Sequence, residues 1–296
     1  MGLTFSIVTV LHQSAPELAG LLASIDAHLD PRPQIVAVDS GSTDAGPGIA
    51  RAAGADVVVL DGNPGFGAAT GAGVDRAAHE VTVLVNPDCE LVDSGLAALA
   101  ARAAEREALL VPRLLDADGT TQRSVHPVPG RADALVRAVV PGPLLPQPHL
   151  ATRPQAVGWA IGACLAARTD LLRRLGPFDP GAFLFYEDLD LCLRAREHGI
   201  PTVLHPEVRV RHLGGRSTQR AFGGEPFELH ARRRREVIGD RLGPRALRLD
   251  DAAQALTFGL RAAVGRDRDR NLAALKALRN ARRGQTLRPS GRARWG

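Results

Sequence analysis

Cysteine, lysine, aromatic side chains and long apolar runs are scarce in this sequence, and each scarcity closes off a class of protein. Three cysteines, Cys89, Cys164 and Cys192, lie far apart and none belongs to a CxxC pair. That spacing argues against a disulfide framework and against a structural zinc site, and it fits a reducing cytosol. No run approaches the roughly 18 apolar residues that a membrane span needs. The opening MGLTFSIVTVL lacks a basic leader and reads as a buried strand. Aromatic residues make up 4% of the chain and lysine occurs once, against 36 arginines.

What is present is a globular composition. The 296 residues are 45% hydrophobic, with 31 glycines and 21 prolines that punctuate the chain with loops. This length can bury one large core or a core plus an appendage. The net charge of +5 hides an asymmetry. Residues 209–296 carry 22 Lys and Arg against 8 Asp and Glu, whereas residues 1–208 carry 15 against 24. A basic C-terminal part suits phosphate, nucleic acid or an anionic membrane surface; a solvated helical face is the plainer alternative.

Through the first half, continuous apolar segments alternate with helical patterns. FSIVTVL (5–11), IVAVD (35–39), DVVVL (56–60), VTVLVN (81–86) and ALLVPRL (108–114) are separated by segments with helical spacing. Apolar strands between helices predict an α/β fold with a parallel sheet covered on both faces, its ligands beyond the carboxyl ends of the strands. Residues 114–158 read as loop with one short helix. IPTVLHP and VRVRHL read as two short strands, and residues beyond 219 as two or three basic helices.

Chemistry gathers at the predicted strand ends. VDSGSTD (38–44) ends a strand in Asp39, whose carboxylate can accept the imide N–H of uracil or thymine, and Ser42 or Asp44 could instead cap the next helix. DGNPGFGAATGAG brings glycines to a helix start, where backbone N–H groups approach phosphate. It fails as GxGxxG, because Thr70 stands at the third glycine. VTVLVNPDCEL places Asp88 and Glu90 two residues apart, a spacing that can hold a divalent cation with diphosphate oxygens; a polar turn is the alternative. FLFYEDLDLCLRAREHG (183–199) sets Glu187, Asp188 and Asp190 at a helix start against apolar residues. VRVRHLGGRST closes a strand on His212, a ligand type suited to manganese-like ions.

In order, SIVTV, VDSGSTD, NPGFGAA, VNPD, GWAIGACLAAR, LGPFDPGAFLFYEDLDLCLRAREHG and HLGGRST resemble the family 2 glycosyltransferases, within them the rhamnosyltransferase-like group. The resemblance covers about residues 3–218. It implies a GT-A fold: a Rossmann-like, mostly parallel sheet with helices on both faces, here followed by a basic helical extension. The implied organisation is a catalytic domain over 1–218, a helical region over 219–283 and a basic tail over 284–296. By resemblance, Asp39 contacts the base, Ser42 and Asp44 lie near the ribose, and Asn63, Gly65, Gly67 and Asn86 border the nucleotide sugar. Asp88, Glu90 and His212 are the implied ligands of Mn2+ or Mg2+. Asp188 is the implied general base of an inverting transfer, with Glu187 and Trp159 on the acceptor side.

The resemblance further implies a dTDP- or UDP-sugar donor, with L-rhamnose on dTDP as the lead. The acceptor is a carbohydrate, a lipid-linked sugar or a small molecule. A cytoplasmic enzyme with peripheral contact to an anionic membrane, through residues 232–235 and 276–294, is the expectation that follows. Departures are Thr70 and Gly71, where many relatives carry asparagine, and Leu11-His12, which replaces a common Tyr-Asn. Two other readings are a sugar-phosphate nucleotidyltransferase, which lacks its basic phosphate loop here, and a nucleic-acid-binding protein, disfavoured by the acidic first half and the scarcity of aromatics in the basic region.

Overall fold

A computed structural model describes residues 3–140, 144–179, 184–214 and 224–284. Contacts divide the chain into two units, Met1–Pro127 with Gln147–Gly224, and Val128–Pro146 with Glu225–Gly296. The boundary expected near residue 218 falls outside the described residues, as does the tail expected over 284–296 apart from Gly284, which ends the last helix.

The first unit is built on a sheet that begins with β1 (Ser6–Leu11), β2 (Gln34–Asp39), β3 (Asp56–Val59) and β4 (Val81–Val85). Every residue of β1 and β4 is buried, so their apolar runs serve two faces at once. The sheet continues through β5 (Cys89–Leu91), β6 (Leu109–Leu115), β8 (Gln155–Val157), β10 (Cys164–Arg168) and β11 (Thr202–His212). Strand order is β3-β2-β1-β4-β10-β6-β11-β5, with β8 also on β11. β3, β2, β1 and β4 are parallel, and β11 runs parallel to β6. β10 is antiparallel to both β4 and β6, so the sheet is mixed. A separate ribbon pairs β7 (Val125–His126) with β9 (Trp159–Ala160), aligning His126 with Trp159.

This topology sets the ends of β2, β4 and β11 and the start of β10 along one edge of the sheet. The two strands expected around Pro206 are one, β11, whose pairing with β6 shifts register between His205 and Arg209. Proline has no N–H to give to the ladder, and an irregularity absorbs that loss.

Helices cover the sheet where their apolar spacing dictates. In α1 (Ala15–His28), Leu18, Leu21, Leu22 and Ile25 repeat at helical intervals and are buried in the main core. α2 (Gly46–Ala52), α3 (Phe66–Arg76) and α4 (Gly95–Ala104) follow β2, β3 and β5, and α6 (Thr169–Leu175) and α7 (Glu187–Glu197) follow β10. A Cβ on Gly73 of α3 would lie 2.3 Å from Val8 Cγ1 and 3.0 Å from Val38 Cγ2. The close helix–sheet approach that a third fingerprint glycine would supply therefore comes from Gly73, three residues beyond Thr70. The three thiols are buried without disulfides. Burial pushes Cys89 well above its usual range, Cys164 up to about 12 and Cys192 up to about 11.

The second unit packs α5 (Asp133–Val139) with two long helices, α8 (Phe227–Ala263) and α9 (Arg268–Gly284). α8 is broken at Gly243, whose φ of 81° precedes Pro244. Ion pairs bridge the break: Arg234 grips Asp250 with two bonds of 2.9 and 2.7 Å, and Arg235 pairs with Asp251. Arg233 meets Glu236 at 2.6 Å. The arginine run 232–235, expected to meet an anionic membrane, instead spends most of its charge inside its own unit. Among the described residues no helix is long and apolar enough to cross a membrane.

Candidate active site

At the end of β2, Asp39 is only 5% exposed and its Oδ1 accepts the Ser42 N–H at 3.0 Å. Ser42 Oγ accepts the Gln13 N–H at 3.3 Å, and His12 Nδ1 donates to the Ser40 carbonyl at 2.8 Å. Asp44 receives the N–H of Ala15 at 2.8 Å on one oxygen and that of Gly46 at 3.0 Å on the other. It therefore ties the starts of α1 and α2 together, the capping alternative that its position left open. Asn63 Oδ1 accepts from Ser40 Oγ at 3.0 Å and from the Gly65 N–H at 3.1 Å, which locks the two neighbouring turns. Gly41, at φ 73°, makes that contact possible, since a Cβ there would lie 2.9 Å from the Gly62 backbone. Gly65, at φ 101°, precedes α3, and Gly67 is buried in its first turn.

Beyond β4, Asp88 is 7% exposed, and its Oδ1 lies 3.5 Å from His212 Nε2 at the end of β11. That separation is too long for a hydrogen bond. It suits two donors sharing a small divalent cation, each at about 2.1 Å. The imidazole is oriented by Gln122, whose Nε2 donates to Asp116 at 2.8 Å and whose Oε1 lies 2.9 Å from His212 Nδ1. The carbonyl end of Gln122 can only accept, so Nδ1 carries the proton and the Nε2 lone pair faces Asp88. Glu90, grouped with these two from the sequence, is placed elsewhere. Its register partner is Arg211, bonded at 3.2 Å, and its other oxygen approaches Gly20 of α1. Strand alternation explains this: Glu90 pairs across with Arg211, whereas His212 pairs with Cys89. Among the described residues, no three His, Cys, Asp or Glu side chains form a metal-binding group.

The acidic helix start stands at the same edge of the sheet. Asp188 Oδ2 accepts the Gly162 N–H at 3.0 Å, and Oδ1 accepts the Leu189 N–H at 2.7 Å. The next residue, Ala163, accepts the Asn86 N–H at 2.8 Å and the Cys89 thiol at 3.3 Å. Two adjacent peptides thus link the Asn86–Asp88 turn to Asp188. Burial raises the Asp188 carboxyl to about 6, against the N–H bonds that pull it down. Desolvation therefore outweighs the helix start, a balance the sequence left open. Phe185 and Tyr186 precede the helix at φ 73° and 62°, two successive left-handed non-glycine residues. Such strain concentrates where a functional group has to be aimed. Asp190 is buried against Arg194 at 2.8 Å, and Arg194 reaches the carbonyls of Leu175, Gly176 and Pro177, anchoring α7.

Residues 35–239 match the model of a family described as glycosyltransferase-like family 2. The chain belongs to that family. It is a nucleotide-sugar-dependent glycosyltransferase of GT-A fold. It is 27% identical over 238 residues to an N-acetylglucosaminyl-diphospho-decaprenol L-rhamnosyltransferase of Mycobacterium tuberculosis, covering 72% of this chain and 77% of that one. It is 25% identical over 152 residues to a low-salt glycan biosynthesis hexosyltransferase of Haloferax volcanii, about half of each chain. Among solved structures it resembles GalNAc-T7 with UDP, GalNAc and Mn2+ at a TM-score of 0.62 and 17% identity, over 95% of this chain and 55% of that one. It also resembles the mannosyltransferase PcManGT of Pyrobaculum calidifontis with GDP-Man and Mn2+, at 0.56 and 16%, over 95% and 76%.

In this glycosyltransferase the structure gives Trp159, expected on the acceptor side, a partner that no motif marks. Trp159 stacks on His126 with ring centres 4.4 Å apart and meets Tyr186 at 6.5 Å, forming an aromatic wall beside the acidic helix start. Phe66, at the start of α3, stacks on Phe178 at 5.4 Å, so the NPGF and GPFD loops touch. Gln122 lies within a proline- and glycine-rich stretch that reads as loop, with no motif to mark it, and the pairing of His126 with Trp159 depends on two strands of two residues each.

Proposed function

We propose that the chain is an inverting, metal-dependent transferase whose lead reaction moves L-rhamnose from a dTDP-sugar to an acceptor hydroxyl. The observation that carries this is Asp188, a carboxylate held by two backbone N–H groups, raised to about 6, beside an aromatic wall. The catalytic portion is the sheet-bearing unit, and the C-terminal helices are an extension.

Asp39 accepts the imide N–H of a uracil or thymine base on its open oxygen, with the Ser42 turn beside the ribose. Asp44 supports that turn by holding two helix starts. Asn63, Gly65, Gly67 and Asn86 line the nucleotide sugar. Asp88 and His212 are the residues that would hold Mn2+ or Mg2+, and their donor types fit such an ion. When bound, the ion supplies positive charge that offsets charge on the departing diphosphate. Glu90 supports the strand pair through Arg211 and is left out of the ligand set.

Asp188, ionised above about pH 6, takes the proton of the acceptor hydroxyl as its oxygen bonds to the anomeric carbon. The bond from that carbon to the diphosphate breaks on the opposite face, and the nucleoside diphosphate leaves. Trp159 and Tyr186 offer flat apolar faces to an acceptor sugar, and Glu187 lies next to the base to orient it. The relative that acts on a decaprenol-linked sugar favours a polyprenyl-diphosphate acceptor, and with it peripheral contact with an anionic membrane.

The test is thermal unfolding with dTDP, UDP, GDP and NAD, each with and without Mn2+. A ligand that binds only the folded state stabilises it by about 2.7 kcal/mol at a hundredfold excess over Kd. A Mn2+-dependent shift led by dTDP is expected. A shift led by UDP changes the sugar but keeps the reaction. Absence of any metal-dependent shift with a diphosphate would overturn the site.

A further inference from the structure

We propose that the exposed faces of α9 and of the second half of α8 form a docking surface for an anionic lipid bilayer. Arg268, Leu272, Lys276, Arg279 and Arg283 recur every three or four residues along α9, so they share one helix face, and all five are exposed. Among the described residues none of these four cations meets an acid at ion-pair distance. Arg270 and Arg282 point elsewhere, to Glu225 at 2.6 Å and to Asp251 at 3.7 Å. Asp267 and Asp269 are the two carboxylates between residues 264 and 284; they flank Arg268 at the start of the basic row, and none follows.

The second half of α8 complements this row. Leu256 and Leu260, with Val264 just past the helix end, follow at intervals of four and are 36%, 41% and 78% exposed. Val136 and Val139 of α5, in the same unit, are 54% and 55% exposed. Open cations and exposed aliphatic stripes on packed helices of one unit are the chemistry of a membrane interface, with cations on lipid phosphates and aliphatics at the acyl boundary. A nucleic acid would engage the cations but leave the aliphatic stripe in water. The arginines at 233–235, already paired, contribute little to such a surface.

The surface rests on the lipid-linked acceptor reading for its purpose, yet its binding can be measured without turnover. The experiment is co-sedimentation of the full chain with vesicles of phosphatidylcholine alone or mixed with phosphatidylglycerol, at low and high salt. Retention by the anionic vesicles at low salt is expected. The triple variant Lys276→Glu, Arg279→Glu, Arg283→Glu should lose at least roughly a hundredfold in partitioning. Leu260→Asp with Val264→Asp should weaken retention at both salt concentrations, and Arg232→Ala should leave it unchanged.

Thermal melts establish that each variant is folded, and transfer to a water-soluble acceptor is followed in parallel. Loss of vesicle binding with soluble transfer intact supports the proposal. No retention by anionic vesicles, equal retention of the triple variant, or tighter binding of duplex DNA than of vesicles overturns it. Vesicle binding in a chain that transfers no sugar to any acceptor would keep the docking surface and refute the transferase reading.

Discussion

Asp188 has to be ionised to take a proton, and it pays for that in folding free energy. The folded chain holds this proton to about pH 6, whereas the unfolded chain releases it near 3.8. The native state therefore binds more protons between these values, so its stability falls as pH rises through the window and the loss persists above it. Asp188→Asn should cut transfer by at least a hundredfold at pH 7.5 while nucleotide binding survives. The same change should raise Tm by roughly 2–5 °C. In the unaltered enzyme, kcat/KM should climb with pH and level off above an apparent value near 6. Gln122 is a positioning residue: its carbonyl fixes which nitrogen of His212 faces Asp88. Gln122→Ala should weaken Mn2+ binding about 10- to 100-fold, as read by paramagnetic resonance titration with no substrate present. Asp39, Asp88, Asp188 and His212 could be singled out in the sequence because each lies at or next to the end of an element. Gln122 could not, because its partner is 90 residues away.

At the scale of elements, the parallel strands announced themselves through apolar runs buried on both sides. β10 did not. Cys164–Arg168 is largely small residues with weak strand preference, and its slot between β4 and β6 determines its state. The single strand across Pro206 was hidden for a related reason, since only the partner strand shows that pairing resumes after the shift. Helix–sheet contact at α3 depends on one hydrogen atom. Gly73→Ala should destabilise the protein by about 1–3 kcal/mol, because the new methyl would overlap Val8 in a fully packed layer. Val8→Ala should be destabilising alone yet recover part of that loss in combination, a non-additivity that denaturant melts of the two single variants and the double variant would expose.

For the whole molecule, the sequence placed the acidic and basic parts and the strand-edge chemistry but misassigned where the basic charge is spent. The arginine run 232–235 looked like the natural patch for an anion, and the acids that take Arg234 and Arg235 lie 16 residues further along the chain. A linear reading cannot pair them without the bend at Gly243. The three buried thiols carry a separate consequence. Their raised ionisation leaves almost no thiolate at neutral pH, so a folded chain should resist alkylation. Cys89 adjoins Asp88, Cys164 begins β10, and Cys192 lies one helical turn beyond Asp188. Each thiol should therefore react with iodoacetamide only when its own segment opens. Mass spectrometry of the three labelling rates would time those openings separately, and a donor nucleotide that slowed Cys89 and Cys192 more than global unfolding requires would reveal which parts of the site it clasps.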